Sequence, residues 1–239
     1  MQHRKESIES QLVALLARVF AERLSSVVVY GSYVIGSWQA KASDINVLIL
    51  LDECTVGALE QLGRAGHRFL RRHRITPLIL SQTEFSRSAD VFPMEYMDII
   101  AQHRVLYGGD PTEHVQFSRR NLRHQLEHQL RGMMVGYRQL VVAAHGRKRL
   151  MSAELRGSAG QVAALFRGLL RLHGIEEVPG DHRELLDQVG QAYGADVGPF
   201  VQLLALRQGA KSEPQQLLRE LQAAVARLVT IVDQYEIDR

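Results

Sequence analysis

The texture of the chain changes at the turn Gly108-Gly109-Asp110-Pro111. Before it, short β-branched runs alternate with amphipathic helical patterns. After it there is hardly a β-like run, and long helical periodicities take over. Any sheet must therefore be built from the first part alone, and the second part must bury its apolar residues helix against helix. The expected fold is α/β followed by α: a mixed-sheet domain over 1–110 and an all-helical bundle domain over 111–239. A length of 239 residues suits two small domains.

Within the first part, Ile8, Leu12, Leu15, Leu16, Val19 and Phe20 recur at helical spacing, which predicts a helix over 5–24 ended by Ser25 and Ser26. Val27 to Tyr30, Ile45 to Leu51 and Ile75 to Leu80 read as strands, the last an edge or bulged one because Pro77 cannot donate to a ladder. Val56 to Arg72 reads as a helix, and 81–92 as a polar loop. A short helix over Met94 to Gln102 and a strand over His103 to Tyr107 complete the domain. The helices expected beyond the turn run over 113–145, 150–173, 181–193, 197–208 and 213–235, punctuated by Gly and Pro.

Composition narrows the functional classes. The chain is 46% hydrophobic and 23% charged, ordinary for a globular protein. A net charge of +3 is too small to point to a nucleic-acid partner. Cys54 is the one cysteine, so no disulfide can form within the chain. The first residues, MQHRKESIES, lack the apolar stretch of a signal peptide, and no run is long and apolar enough for a membrane span. A cytoplasmic protein is the expectation.

The chemistry concentrates in VVVYGSYVIGSWQAKASDINVLILL, residues 27–51. Gly31 and Ser32 end a strand. A bare Cα lets backbone approach a phosphate, the following helical turn offers unpaired N–H groups, and the serine hydroxyl adds a donor. Asp44 and Asn46 stand two apart on the next strand and point to the same face, with Cα atoms about 6.6 Å apart at ~3.3 Å per residue. That spacing suits two ligands converging on a metal. Lys41, just before Ser43, can meet a triphosphate or stand solvated in a loop. Tyr33 and Trp38 can stack on a base or pack their helix. A plain strand–turn–strand explains the same letters without any ligand.

These residues resemble the nucleotidyltransferase superfamily that includes DNA polymerase β and the aminoglycoside nucleotidyltransferases. Its signature is an apolar residue and Gly-Gly or Gly-Ser, then about nine to thirteen residues, then Asp-apolar-Asp/Glu-apolar. Here it reads Tyr30-Gly31-Ser32, eleven intervening residues, and Asp44-Ile45-Asn46-Val47, with the usual serine, Ser43, before the aspartate. RVLYGGDP, 104–111, is similar to the strand and turn that often end this domain in the antibiotic-modifying and toxin–antitoxin branches, where a helical domain also follows. The resemblance implies that Gly31 and Ser32 hold the triphosphate of ATP or another NTP, and that Asp44 is a catalytic carboxylate and the ligand of Mg²⁺; Lys41 and Ser43, by their position beside it, complete the expected nucleotide-binding set.

Against that pattern, Asn46 stands at a degenerate catalytic position normally held by a carboxylate. The third carboxylate belongs on or near ITPLIL, 75–80, which has no acid; Glu84 lies beyond it. Asparagine is a neutral oxygen ligand that cannot take a proton at neutral pH. One aspartate brings one negative charge to a site where two dications clamp the reacting oxygens. A single Mg²⁺ can still bind there, because Mg²⁺ often takes one or two carboxylates plus substrate phosphates, so binding of Mg·nucleotide is expected and rapid transfer is not. The sequence thus implies a pseudoenzyme, binding nucleotide in a regulatory role with transfer weakened or lost. The alternative is an active transferase moving NMP from Mg·NTP to a small-molecule or protein hydroxyl. A further option is a homodimer formed through apolar positions of 150–173 and 213–235, which fill a monomer core equally well.

Other patterns read as solvated helix surface. HQLEH, 124–128, puts His124 and His128 at the spacing of zinc ligands, but in a charged helical segment. Arg119, Arg123 and Arg167 each precede a histidine at spacings near those of helical ribonucleases, in a chain where both residue types are frequent. HRFLRRHR, 67–74, suits the C-terminal end of a helix. Cys54 has no partner pattern and reads as an ordinary thiol.

Overall fold

The structure, a computed structural model, describes residues 2–34, 44–113, 115–116 and 118–236. It divides into two compact units, Met1–Phe117 and Ser118–Arg239.

In the first unit a four-stranded mixed sheet has the order β3-β2-β1-β4. Its strands are β1 (Leu24–Tyr30), β2 (Ile45–Leu51), β3 (Ile75–Ser81) and β4 (His103–Gly108). The helices α1 (Gln2–Phe20), α2 (Val56–His73), α3 (Gln82–Arg87) and α4 (Pro93–Ala101) are interleaved with them. β1 runs antiparallel to β2 and to β4, whereas β2 and β3 are parallel, joined by the α2 crossover. β3 lies at the sheet edge, where Pro77 is tolerated.

Alternation along the strands sends side chains to two separate cores. Val27, Val29, Ile45, Val47, Ile49 and Leu51 pack with Ile8, Leu12 and Leu16 of α1 and Leu62 of α2. Val28, Leu48 and Leu50 pack with Phe85 of α3 and Tyr96 and Ile99 of α4. Asn46 is in phase with Leu48 and Leu50, so it lies on the α3–α4 face.

Three local expectations are corrected. The first helix stops at Phe20, and a 3-10 turn over Ala21–Arg23 leads into a strand that already starts at Leu24. Ser25 and Ser26 belong to that strand: Ser26 Oγ donates to Gly109 O at 2.9 Å and Ser25 Oγ to Asp52 Oδ1 at 2.6 Å. The polar stretch after β3 contains the helix α3, begun by a capping box in which Ser81 Oγ accepts from Glu84 N and Glu84 accepts from Ser81 N. Finally, α5 starts at Arg119, with Ser118 as its N-cap, and 113 is not helical.

The second unit consists of α5 (Arg119–Ala144), α6 (Lys148–Leu172), α7 (His182–Tyr193), α8 (Gly198–Arg207) and α9 (Pro214–Asp233). α6 packs against each of the other four helices. Its Leu155, Val162, Leu165, Phe166 and Leu169 are all fully buried, as befits a central helix. Leu217, Leu221, Val225 and Val232 of α9 are buried too, so the apolar positions of these two helices fill the unit's own core. His124 and His128 are exposed on α5, between the buried Leu122, Leu126 and Leu130. Glu127 between them is held by Arg131 at 2.8 Å and Arg123 at 3.5 Å. No described helix is long and apolar enough to cross a membrane.

Candidate functional site

The site is built where β1 ends and β2 begins. Tyr30, the last residue of β1, pairs with Asn46 on one side and His103 on the other. The chain then turns sharply through a 3-10 turn over Gly31–Tyr33. Gly31 sits at φ 73°, the left-handed region that glycine adopts at least cost. Its N–H donates to Gln102 O at 3.0 Å, and its carbonyl accepts from Val34 N at 2.9 Å. A Cβ added at Gly31 would lie 3.5 Å from Asn46 Nδ2, an ordinary contact. The asparagine amide therefore stands over the glycine turn. Ser32 is half-buried in the same turn. Gly31, Ser32 and Asn46 are thus neighbours in space.

Asp44 precedes β2 and faces Arg74, the residue between α2 and β3. Arg74 Nε donates to Asp44 Oδ1 at 2.9 Å, and Nη2 lies 2.9 Å from the same oxygen. The parallel register explains the meeting, since Ile45 pairs with Ile75 and Asn46 with Thr76. Arg74 O also accepts from Ile45 N at 2.8 Å. Thr76, beside Asn46 on the site face, occupies the strand where an acid is expected. Glu84 is committed to its capping box, whose hydrogen bonds from Ser81 hold its carboxyl below the usual range.

Two carboxylates that sequence reasoning passed over come to this face from α4. Burial pushes the Tyr30 hydroxyl up to about 12, with further contributions from the charges of Asp98 and Glu95. These residues are three apart on a helix and share a face. The signal was the FPMEYMDI segment itself, but only the fold turns that helix toward Tyr30.

Tyr33 is turned inward. It is 1% exposed and packs in the core, with Lys5 Nζ 4.5 Å from its ring centre. Lys41, Ser43 and Trp38 lie outside the described residues.

Tested against a pair of magnesium ions, the donor set does not fit. Asp44 brings one carboxylate, and one of its oxygens is taken by a guanidinium. Asn46 brings a neutral amide. Among the described residues, no cluster of three His, Cys, Asp or Glu could hold a metal.

No family model and no curated protein matches the chain. Among solved structures it is similar to spectinomycin adenyltransferase AAD(9) from Enterococcus faecialis, crystallised with ATP and spectinomycin. The TM-score is 0.62 at 12% sequence identity, over 96% of this chain and 99% of that one. That likeness, over nearly the whole of both chains, gives this chain the nucleotidyltransferase fold.

Proposed function

We propose that the protein binds a nucleoside triphosphate at the Gly31–Ser32 turn and has lost, or nearly lost, nucleotidyl transfer. The observation that carries this reading is the state of the two-residue ligand pair. Asn46 is a neutral donor over the glycine turn, and Asp44 is charge-paired with Arg74. Two-metal transfer stabilises the attacking and leaving oxygens through dications held by carboxylates. Here one oxygen of the pair's single carboxylate is engaged by a guanidinium. The left-handed turn at Gly31, with Ser32 beside it, supports close approach of a phosphate to the backbone. The ATP held by the fold neighbour supports the choice of a nucleotide as ligand.

A second reading, transfer of NMP to a hydroxyl, draws support from Glu95 and Asp98. Their charges reach Tyr30 on the same face as Asn46, and a carboxylate there can take the proton of an acceptor hydroxyl. The test measures nucleotide binding by calorimetry together with pyrophosphate release, offering spectinomycin as the first acceptor because the neighbour holds it. Binding without release is the expected result. Release that disappears in Asp44→Ala would establish the transferase reading instead.

A further inference from the structure

Resting on the nucleotide-binding reading above, we infer that Arg74 supplies the positive charge a divalent ion would otherwise bring, so that this site takes the nucleoside triphosphate in its metal-free form. Asp44 then serves to orient Arg74 rather than to ligate a metal.

The backbone of residue 74 is held at both its N–H and its carbonyl. Arg74 caps α2 in the left-handed conformation, φ 53° and ψ 42°, with its N–H directed to the carbonyls of Arg71 and Leu70. Its own carbonyl is held by Ile45 N at 2.8 Å. Residue 74 is thereby pinned both to the helix it ends and to the strand that carries the site. Glycine is the common residue at a left-handed helix end. A cation suits a helix end in general, but here the Arg74 side chain is directed to Asp44.

The guanidinium is also only partly used. Nε and Nη2 both address one oxygen of Asp44, and Nη1 has no acceptor among the described residues. The Arg74 side chain is 46% exposed and that of Asp44 53%, so a ligand can reach both. A guanidinium offers five N–H donors in a planar fork that matches phosphate oxygens two at a time. A carboxylate on one edge leaves the other edge oriented and available.

Asn46 points the same way. An aspartate above the Gly31 turn would repel a bare phosphate unless a metal stood between them. An amide Nδ2 at that place donates to a phosphate oxygen with no ion required. The exchange of a carboxylate for an amide and the pairing of the other carboxylate with a tethered cation both remove net negative charge. Each lowers the demand for Mg²⁺ and raises the affinity for free triphosphate.

The experiment is calorimetric titration of ATP into the full chain, once in EDTA and once in excess Mg²⁺, for the wild type, Arg74→Ala and Arg74→Lys. The wild type is expected to bind in EDTA at least as tightly as in Mg²⁺. Arg74→Ala should weaken the EDTA binding roughly tenfold or more, the loss expected for a charge-assisted hydrogen-bond pair, and Arg74→Lys should fall between. Circular dichroism and a thermal melt confirm that each variant is folded. Should Arg74→Ala fail to fold, the Lys variant and the wild-type comparison of the two buffers decide. Binding that appears only with Mg²⁺, or EDTA binding unchanged in a folded Arg74→Ala, overturns the role of Arg74 and leaves the nucleotide reading standing. Absence of binding by ATP, GTP, CTP and UTP in both buffers overturns the nucleotide reading and this inference with it.

Discussion

Asp44 and Arg74 stand at adjacent heads of two parallel strands, with one carboxylate oxygen 2.9 Å from both Nε and Nη2 of the guanidinium. The contact joins the one acid of the Asp-Ile-Asn segment to the residue that ends the crossover helix. Both side chains are about half exposed. Solvent therefore screens the pair, and its contribution to stability is small whatever its role in binding.

A double-mutant cycle on Asp44→Ala and Arg74→Ala, read by urea unfolding, should give a coupling of about 0.5 kcal/mol and no more than ~1 kcal/mol. A coupling of several kcal/mol would mean that the pair is a structural clamp. The low value combined with a large effect on nucleotide binding would separate the two roles.

Asn46→Asp places a second carboxylate next in phase to Asp44 and over the Gly31 turn. Without metal the like charges should cost on the order of 1 kcal/mol. Added Mg²⁺ should recover that loss, because a divalent ion binding only the folded state stabilises it by mass action. The measurement is the thermal midpoint of the variant with and without Mg²⁺. The wild type should show little Mg²⁺ dependence. A variant whose midpoint ignores Mg²⁺ would show that the Gly31 turn and β2 no longer converge on a metal position.

Two left-handed glycines should respond very differently to alanine. At Gly31, φ is 73° but an added Cβ meets nothing nearer than Asn46 Nδ2 at 3.5 Å. The cost there is conformational, about 1–2 kcal/mol. At Gly108, φ is 77° and the added Cβ would fall 2.0 Å from Ser25 O, a backbone atom of the neighbouring strand. That clash must move β1 or β4 and should cost more than about 3 kcal/mol. Chemical denaturation of the two variants checks the order. Equal losses would mean that β4 can shift away from Ser25 freely.

Much of this is legible in the amino-acid sequence. The β-branched runs 27–30 and 45–51 and the Gly-Ser between them pointed to the strands and to the turn that gathers Gly31, Ser32 and Asn46, because local backbone preferences dictate those features. The Ser81-x-x-Glu84 capping box was also present in the letters, yet the polar composition of 81–92 masked a one-turn helix start. Arg74 was different in kind. Its meeting with Asp44 depends on the register of a parallel strand pair closed by a helix, and no periodicity along one chain encodes that register. Glu95 and Asp98 were hidden for the same reason, since only the packing of Tyr96 and Ile99 on the sheet turns their helix toward Tyr30.

The turn after β4 should carry a measurable share of the acid sensitivity. Asp110 Oδ2 lies 2.9 Å from His103 Nε2, and its Oδ1 accepts from Thr112 N at 2.9 Å and from Thr112 Oγ1 at 2.7 Å. Burial pushes this carboxyl up, but the hydrogen bonds from His103 and Thr112 outweigh it and leave the group below its ordinary 3.8. A carboxyl depressed in the folded state binds its proton more readily when unfolded. Its contribution is therefore complete above the unfolded value, near pH 4, and is lost as pH falls through the lower folded value. Asp110→Asn keeps the shape and one acceptor but removes the charge. It should cost about 1 kcal/mol at pH 7, and the difference from wild type should shrink between pH 4 and pH 2. Urea unfolding at pH 7, 4 and 3 measures this. A gap that stays constant across that range would mean that the charge of Asp110 contributes nothing to holding the turn.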